Sequence, residues 1–325
     1  MNAARVGLVL LLRSLGAGAL VCLISWSLVE CAPGTTAERA AVASGALVPG
    51  DVHSSVELRA ELIAEVASEF DLEATPAARL PRRAADALRF DFGRSWRDGH
   101  SVWGRIASRK GLTTLLLCVA ALLIALLMSA LLAPRSARRP NSRGSTVAIA
   151  FSALMLSVPI PWIALLALDT LAYGHPFSFA PKGGMDSFGH GILPIVVLAS
   201  VPAAVLWRHL HQELLDTADA AWVVAARARG LDETRLWNRH LLKAALPTVF
   251  ALVPVMLAYL LAASVVVEQV FAIDGLGSMV AAAANQGDVP VLVAFASLSA
   301  MVISATSQSM NIASRLVDPR RTGTS

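Results

Sequence analysis

Charge is scarce in this chain: Lys and Arg contribute 27 and Asp and Glu 23 of its 325 residues, 15% in all. A soluble domain carries about 25%. Together with 56% hydrophobic residues and a mean hydropathy of +0.62, that scarcity excludes a cytosolic enzyme and makes a polytopic membrane protein the expectation. Cysteine is nearly absent as well. Cys22, Cys31 and Cys118 are too few for a disulfide framework or a metal site, and two of them lie inside apolar runs, where they read as packing residues. Glu30 stands where lipoprotein cleavage ahead of Cys31 would need a small side chain. The chain has no Gly-x-x-x-x-Gly-Lys-Ser/Thr to cradle a phosphate and no His-Glu-x-x-His to hold zinc. His209-x-His211 is too closely spaced for one helical face. No catalytic and no metal site is therefore read. A net charge of +4 with no basic stretch interleaved with aromatics gives no nucleic-acid partner; the arginines flank apolar runs, as orientation signals do.

Five stretches lack Lys, Arg, Asp and Glu altogether: Gly111–Ala133, Gly144–Leu168, Ser187–Trp207, Ala244–Val267 and Val289–Ser314. Each is long enough, at about 1.5 Å per residue, to cross a hydrocarbon core of about 30 Å. A sixth, Ser14–Val29, spans if Val6–Leu12 joins it and Arg13 snorkels. No small-x-small cleavage site follows at the distance a secretory signal needs, so this N-terminal helix is expected to be retained. Short loops on the side of the N-terminus hold fifteen Lys and Arg, against only Lys182 in Asp169–Asp186 and Glu268–Asp288 on the other side. The expectation is an all-α protein of six transmembrane helices with both termini cytoplasmic. Its divisions are 1–30 (N-terminal end and first span), 31–110 (extracytoplasmic), 111–314 (five further spans, with a cytoplasmic loop at 208–243) and 315–325 (cytoplasmic tail).

Residues 30–110 are a different material, with 11 basic and 12 acidic side chains, and must face water. Ser54-Ser55-Val56-Glu57 reads as a capping box. The helix after it runs to about Phe70, with Leu58, Leu62, Val66 and Phe70 on one stripe and Glu57, Glu61, Glu65 and Glu69 on a neighbouring one. That acidic stripe reads as a solvated face or as a docking surface for a basic partner. Pro76 and Pro81 are expected to bound a loop.

The stretch Arg208–Lys243 is long for a connection between membrane helices. Its centre is Ala220–Gly230 followed by Leu231–Thr234; the first part is rich in helix formers and small side chains, Gly230 suits a left-handed C-terminal cap, and Asp232 can cap a second short helix. Two short helices meeting at a bend are expected. With Ala225, Ala226 and Ala228 allowing close approach, such a helix fits a groove on another protein, or else lies on the lipid surface with its arginines among headgroups.

This stretch, Ala225-Ala226-Arg227-Ala228-Arg229-Gly230-Leu231 with Arg239-His240 and Ala245-Leu246-Pro247 beyond it, resembles the Glu-Ala-Ala loop of ABC importer permeases of the dipeptide/oligopeptide/nickel type. Five further elements match in order: Cys31-Ala32-Pro33-Gly34; Phe90-Asp91-Phe92-Gly93-Arg94-Ser95-Trp96; Ser157-Val158-Pro159 with Trp162, then Ile192-Leu193-Pro194; Val267-Glu268-Gln269-Val270-Phe271 leading to Gly275-Leu276-Gly277; and Leu316-Val317-Asp318-Pro319-Arg320. The chain departs from the pattern at Val224, where the loop's Glu would stand, at Ala221-Trp222 for Asp-Tyr, at Arg109-Lys110-Gly111 for Arg-Leu-Pro, and at Asn311 for Asp.

The resemblance implies the type I importer permease fold in a bacterial cytoplasmic membrane, with a small extracytoplasmic domain between the first two spans. This subunit would form half of a translocation path for peptides, or alternatively for nickel chelates or opine-like solutes. It implies no cofactor on this chain, with ATP and magnesium on partner subunits. The implied partners are two ATPase subunits, a second homologous permease, an extracytoplasmic binding protein and membrane lipid. Ala225, Ala226, Arg227, Arg229, Gly230, Leu231 and Asp232 become the ATPase-coupling residues. Glu268, Asp274, Gly275 and Gly277 become candidates for an outer gate or binding-protein contact. On the last span Ser297, Ser304, Gln308 and Asn311 share a stripe, and Ser304, Gln308 and Asn311 are candidates for lining the path, although packing between helices by small hydrogen-bonding residues explains the stripe equally simply. The competing classes are a membrane-embedded enzyme and a non-transporting scaffold or receptor.

Overall fold

The computed structural model describes residues 3–48, 56–170 and 188–317. The expected capping box at Ser54-Ser55, the loop carrying Lys182 and the terminal Asp318-Pro319-Arg320 lie outside those residues. In chain order the helices are α1 (Ala3–Cys31), α2 (Thr36–Ala43), α3 (Val56–Glu69), α4 (Pro76–Leu88), α5 (Val102–Ile106), α6 (Arg109–Ala137), α7 (Arg143–Ser157), α8 (Ile160–Leu168), α9 (Phe188–Ala218), α10 (Ala221–Ala228), α11 (Glu233–Arg235), a π-helical turn (Leu236–Leu241), α12 (Leu242–Val270), α13 (Leu276–Gln286) and α14 (Val289–Val317). Among the described residues the only extended pairing is a single antiparallel bridge between Arg94 and Ser101.

Five runs are long and apolar enough to cross a membrane: Val9–Cys31, Arg109–Ala137, Gly191–Ala218, Glu233–Val270 and Val289–Val317. The stretch 144–168, expected as one straight span, is instead the pair α7 and α8, bent by 104°. Proline explains the break. Pro159 has no N–H to continue the ladder, and the residue before it is driven out of the helical region: Val158 sits at φ −93°, ψ 125°. Pro161, in the first turn of α8, loses nothing, because the N–H groups there have no intrahelical partner.

The chain divides into two compact units, Met1–Thr114 with Asp274–Ala305, and Leu115–Ile273 with Thr306–Ser325. In the first, Arg39 closes the end of α1. Its guanidinium donates to the Val29 carbonyl in the last turn of the helix (2.5 Å) and to the carbonyls of Ala32 (2.7 Å) and Gly34 (3.0 Å) in the turn beyond it. Glu30 accepts from the Thr36 hydroxyl at 2.8 Å and pairs with Arg79 at 3.1 Å, both charged side chains being largely buried. This pair sets α4 along α1 and accounts for a correction: Pro76 and Pro81 do not bound a loop. Pro76 opens α4 at its first position, and Pro81 is held inside the helix by packing that outweighs its poor propensity. Along the same contact the Cys22 thiol donates to the Arg83 carbonyl (3.7 Å), and the Arg83 guanidinium lies 5.0 Å above the Trp26 ring.

Trp26 meets Trp96 edge-on at 6.0 Å. Trp96 is fully buried, and its backbone N–H donates to Asp288 Oδ1 (3.0 Å), while the Ser95 hydroxyl donates to Asp288 Oδ2 (2.5 Å). One carboxylate thus fastens the 90–101 turn to the head of α14. In the same turn burial alone would raise the Asp98 carboxyl, but the His100 N–H and the Arg105 guanidinium, both bonded to it, hold Asp98 below the usual carboxylate range. At the start of α6, Gly111 is required by close approach, because a Cβ there would fall 2.0 Å from the Ile106 carbonyl oxygen. α3 turns Val66 and Phe70 into the core of this unit, with Leu62 half-buried; Leu58, at the start of the expected stripe, is exposed.

The second unit packs α9 against α12, with α8 beside both. Its core is built of Leu198, Leu206, Leu210, Leu214, Leu236, Leu241 and Leu260, all fully buried.

Replacing Asp288 with alanine strands two buried donors, and is expected to cost about 3 kcal/mol from lost hydrogen bonds to a charged acceptor. Limited proteolysis should then cut within residues 89–101 at a lower temperature while the α9–α12 region stays protected. Asp288→Asn, which keeps one acceptor, should lose less. An alanine variant as resistant as the parent would contradict the role given to this carboxylate.

Candidate functional site

Of the stretch 208–243, only residues 219–232 stand outside the long helices, since α9 runs on to Ala218 and a continuous helical run begins at Glu233. Within them α10 has two faces. Val223 and Ala226 are buried against Leu236, Trp237 and Leu241. Trp222, Val224, Ala225 and Ala228 point to the surface, so the outward side of this helix is apolar and small.

The bend that follows is built as its residues require. Gly230 takes φ +78°, its N–H donates to the Arg227 carbonyl (2.9 Å), and the Leu231 N–H donates to the Ala226 carbonyl (3.2 Å). These two bonds are the Schellman pattern, which satisfies the orphan carbonyls of α10 and needs a left-handed residue at Gly230. Nothing lies within 4 Å of where a Gly230 Cβ would be, so backbone conformation alone constrains this position. Asp232 Oδ2 accepts from the Arg235 N–H (3.0 Å) and starts α11.

The bend is also laced to its neighbours. Arg227 Nε donates to Glu233 Oε1 (2.7 Å) and its Nη1 to the Ala218 carbonyl (3.2 Å), so one guanidinium joins the end of α9, α10 and α11. Glu233 Oε2 accepts from Trp237 Nε1 (3.0 Å), and the Arg138 guanidinium, just beyond α6, lies 5.8 Å over the Trp237 ring. Sequence reasoning missed Glu233, Trp237 and Arg138. The six-residue interval between Arg227 and Glu233 becomes a contact only because the Schellman turn folds the chain back on itself. Arg229, exposed like Arg227, donates among the described residues to the Ala225 carbonyl of its own helix (3.2 Å). The π-helical turn that continues from α11 into α12 departs from regular geometry, as helices often do beside working sites.

The other candidate residues are distributed differently. Glu268, in the last turn of α12, is fully buried, as are Cys118 and Ser264, whose hydroxyl donates to the Leu261 carbonyl (2.9 Å). Asp274 is largely exposed and pairs with Lys110. Gly275 and Ser278 cap α13 reciprocally, the Gly275 N–H donating to Ser278 Oγ (3.1 Å) and Ser278 Oγ donating to the Gly275 carbonyl (2.9 Å); Gly277 is buried in the first turn. On α14, Ser297 is fully buried and donates to the Val293 carbonyl (2.8 Å), Ser304 and Gln308 are half-buried, and Asn311 is exposed. Residues 225–232 are thus brought together at one bend, and Ser304, Gln308 and Asn311 follow one another along α14.

Residues 121–323 match the family profile described as binding-protein-dependent transport system inner membrane component. Over 200 residues the chain is 31% identical to the dipeptide transport system permease protein DppB of Lactococcus lactis subsp. cremoris (strain MG1363), covering 62% of this chain and 65% of that protein, slightly under two thirds of its length. It is 32% identical over 241 residues to the oligopeptide transport system permease protein AppB of Bacillus subtilis (strain 168), covering 71% of this chain and 75% of that one. It is 29% identical over 253 residues to the glutathione transport system permease protein GsiC of Salmonella paratyphi A (strain ATCC 9150 / SARB42), covering 76% and 80%. A profile match over more than half of the chain, on a nearly all-helical protein with five long apolar helices and a bent sixth, settles the class: the chain belongs to the binding-protein-dependent inner membrane components, the multi-pass permease subunits of ABC importers, which are transport subunits and leave ATP hydrolysis to a separate protein.

Proposed function

We propose that this subunit forms half of the path of a peptide importer and that the α10 bend receives the push of the ATPase subunits. The observation that carries this reading is the bend itself: an outward face of small and apolar side chains on a short helix whose inner face is buried and whose end is laced by Arg227 and Glu233 into the run leading to α12. A force on Trp222 and Val224 would reach α12 through that lacing, and rigid movement of a packed helix is how such transporters alternate access. Peptides are the substrate class because the relatives carry dipeptide, oligopeptide and glutathione in their names. The fifteen-to-one bias of Lys and Arg supports an orientation with both termini and α10 in the cytoplasm, and residues 31–110 with the 268–288 turn outside, where a binding protein would meet them. A second homologous permease subunit would complete the path. Ser297 is wholly packed, so Ser304, Gln308 and Asn311 are the members of the stripe proposed to face that path.

Gly230→Val forces a β-branched side chain into the left-handed region at about 1–3 kcal/mol of strain. Uptake and substrate-stimulated ATP hydrolysis in membrane vesicles should fall at least tenfold with membrane insertion unchanged, and Gly230→Asn should keep most activity. Normal uptake by the valine variant would remove the assignment. Gln308→Leu preserves helix volume and removes a polar group. Altered substrate preference at unchanged detergent stability supports a path-facing role; unchanged transport with a loss of about 0.6 kcal/mol, the average worth of an interhelical hydrogen bond in membranes, returns the stripe to packing.

A further inference from the structure

A cavity of about 390 Å³ lies among the end of α3, α4 and the turn at 91–96, within the first unit, and the function proposed above does not use it. Four guanidinium groups and four carboxylates line it, so its wall is neutral overall yet strongly polar. Two of these charges cancel at the surface, where Arg82 and Asp71 pair at 3.4 Å with both side chains more than two-thirds exposed. Arg83, further in, is not matched in this way. Arg83 lies over Trp26 and makes one long bond, 3.4 Å, to the Phe70 carbonyl, but forms no ion pair among the described residues. Burial pushes its guanidinium below the usual arginine range, with Asp71 and Asp86 acting in the opposite direction. A desolvated cation without a bonded carboxylate is costly, and an anion arriving from solution would relieve it. One helical turn away, Arg79 pairs with Glu30 through Nη2, while its Nε carries a buried N–H with no acceptor. Gly93 keeps the approach open, because a Cβ there would stand 2.9 Å from Arg83 Nη1. Asp86 and Asp91 line the same space, so negative charge is at hand for the other end of a ligand.

We propose that this cavity binds a short zwitterionic solute, taking its carboxylate on Arg79 and Arg83 and its ammonium on Asp86 and Asp91. The choice of a dipeptide as that solute rests on the peptide reading above; the cavity's preference for a molecule charged at both ends does not.

The test uses the full chain in lipid nanodiscs, titrated calorimetrically with L-alanyl-L-alanine, with its C-terminal amide and with its N-acetyl derivative. The free dipeptide should bind saturably and each blocked form at least tenfold more weakly, the scale of one lost charge-assisted contact. Arg83→Gln and Arg79→Gln should abolish the discrimination against the amide, and Asp86→Asn that against the acetylated form. Equal binding of free and blocked dipeptides, or no saturable binding, overturns the site. Because the ligand comparison is made on the unaltered chain, a variant that fails to fold leaves the outcome decided. Dipeptide uptake by the assembled importer, measured in parallel, separates the two claims. Uptake without binding to this chain overturns the cavity and keeps the peptide importer, and binding without uptake does the reverse.

Discussion

In a chain this apolar, every backbone N–H and C=O at membrane depth must find its partner within a helix, because lipid offers none. Backbone groups free to bond outside a helix are therefore concentrated where the long helices stop, and several of those stops are made by a particular residue. Pro159 breaks the third apolar stretch, Gly230 ends α10 in the left-handed region, Gly275 opens α13, and Asp288 heads α14. Specific partners meet the groups at several helix ends: Arg39 takes the Val29 carbonyl in the last turn of α1, the N–H groups of Gly230 and Leu231 take the last carbonyls of α10, and the Asp288 carboxylate takes the Ser95 hydroxyl and the Trp96 N–H. The permease is thus a set of long helices joined by a few tightly bonded corners, and those corners are where partners can be met.

Much of this was legible from residue types. Runs without charge are a one-dimensional signal, and all six appear as helix, one of them bent. The corner at Gly230 was also legible, because a glycine after a run of helix formers and an aspartate two residues on have only a few conformations that satisfy the backbone; Gly230 at φ +78° and the Asp232 cap follow directly. The bend at Val158-Pro159 had its signal in plain view, since Pro159 restricts both itself and its predecessor, but the absence of charge hid it: hydropathy counts residues and takes no account of the ladder.

What was not legible depends on contacts between distant segments. Asp288 bonds Ser95 and Trp96 across more than 190 residues, and nothing near either end of that interval announces the pairing. Arg227 is engaged within this chain, by Glu233 and the Ala218 carbonyl six and nine residues away, while its side chain stays partly exposed. α4 shows the same effect on propensity: two prolines read locally as a loop, and the Glu30–Arg79 pair with the Trp26–Arg83 contact holds a helix there instead. Sequence reading found the sites where the backbone has few choices and missed those where side chains choose one another.

On the function proposed here, the energy of ATP enters this subunit at the outward face of α10. A photoreactive amino acid at Val224, exposed on that face, tests it most directly in the complete transporter within membranes. Irradiation is expected to join this chain to an ATPase subunit in high yield, with a yield that changes when nucleotide is trapped, and the same probe at Val147, exposed on α7, is expected to give no such product. Cross-linking of Val224 to lipid alone, with none to an ATPase in any nucleotide state, would contradict it.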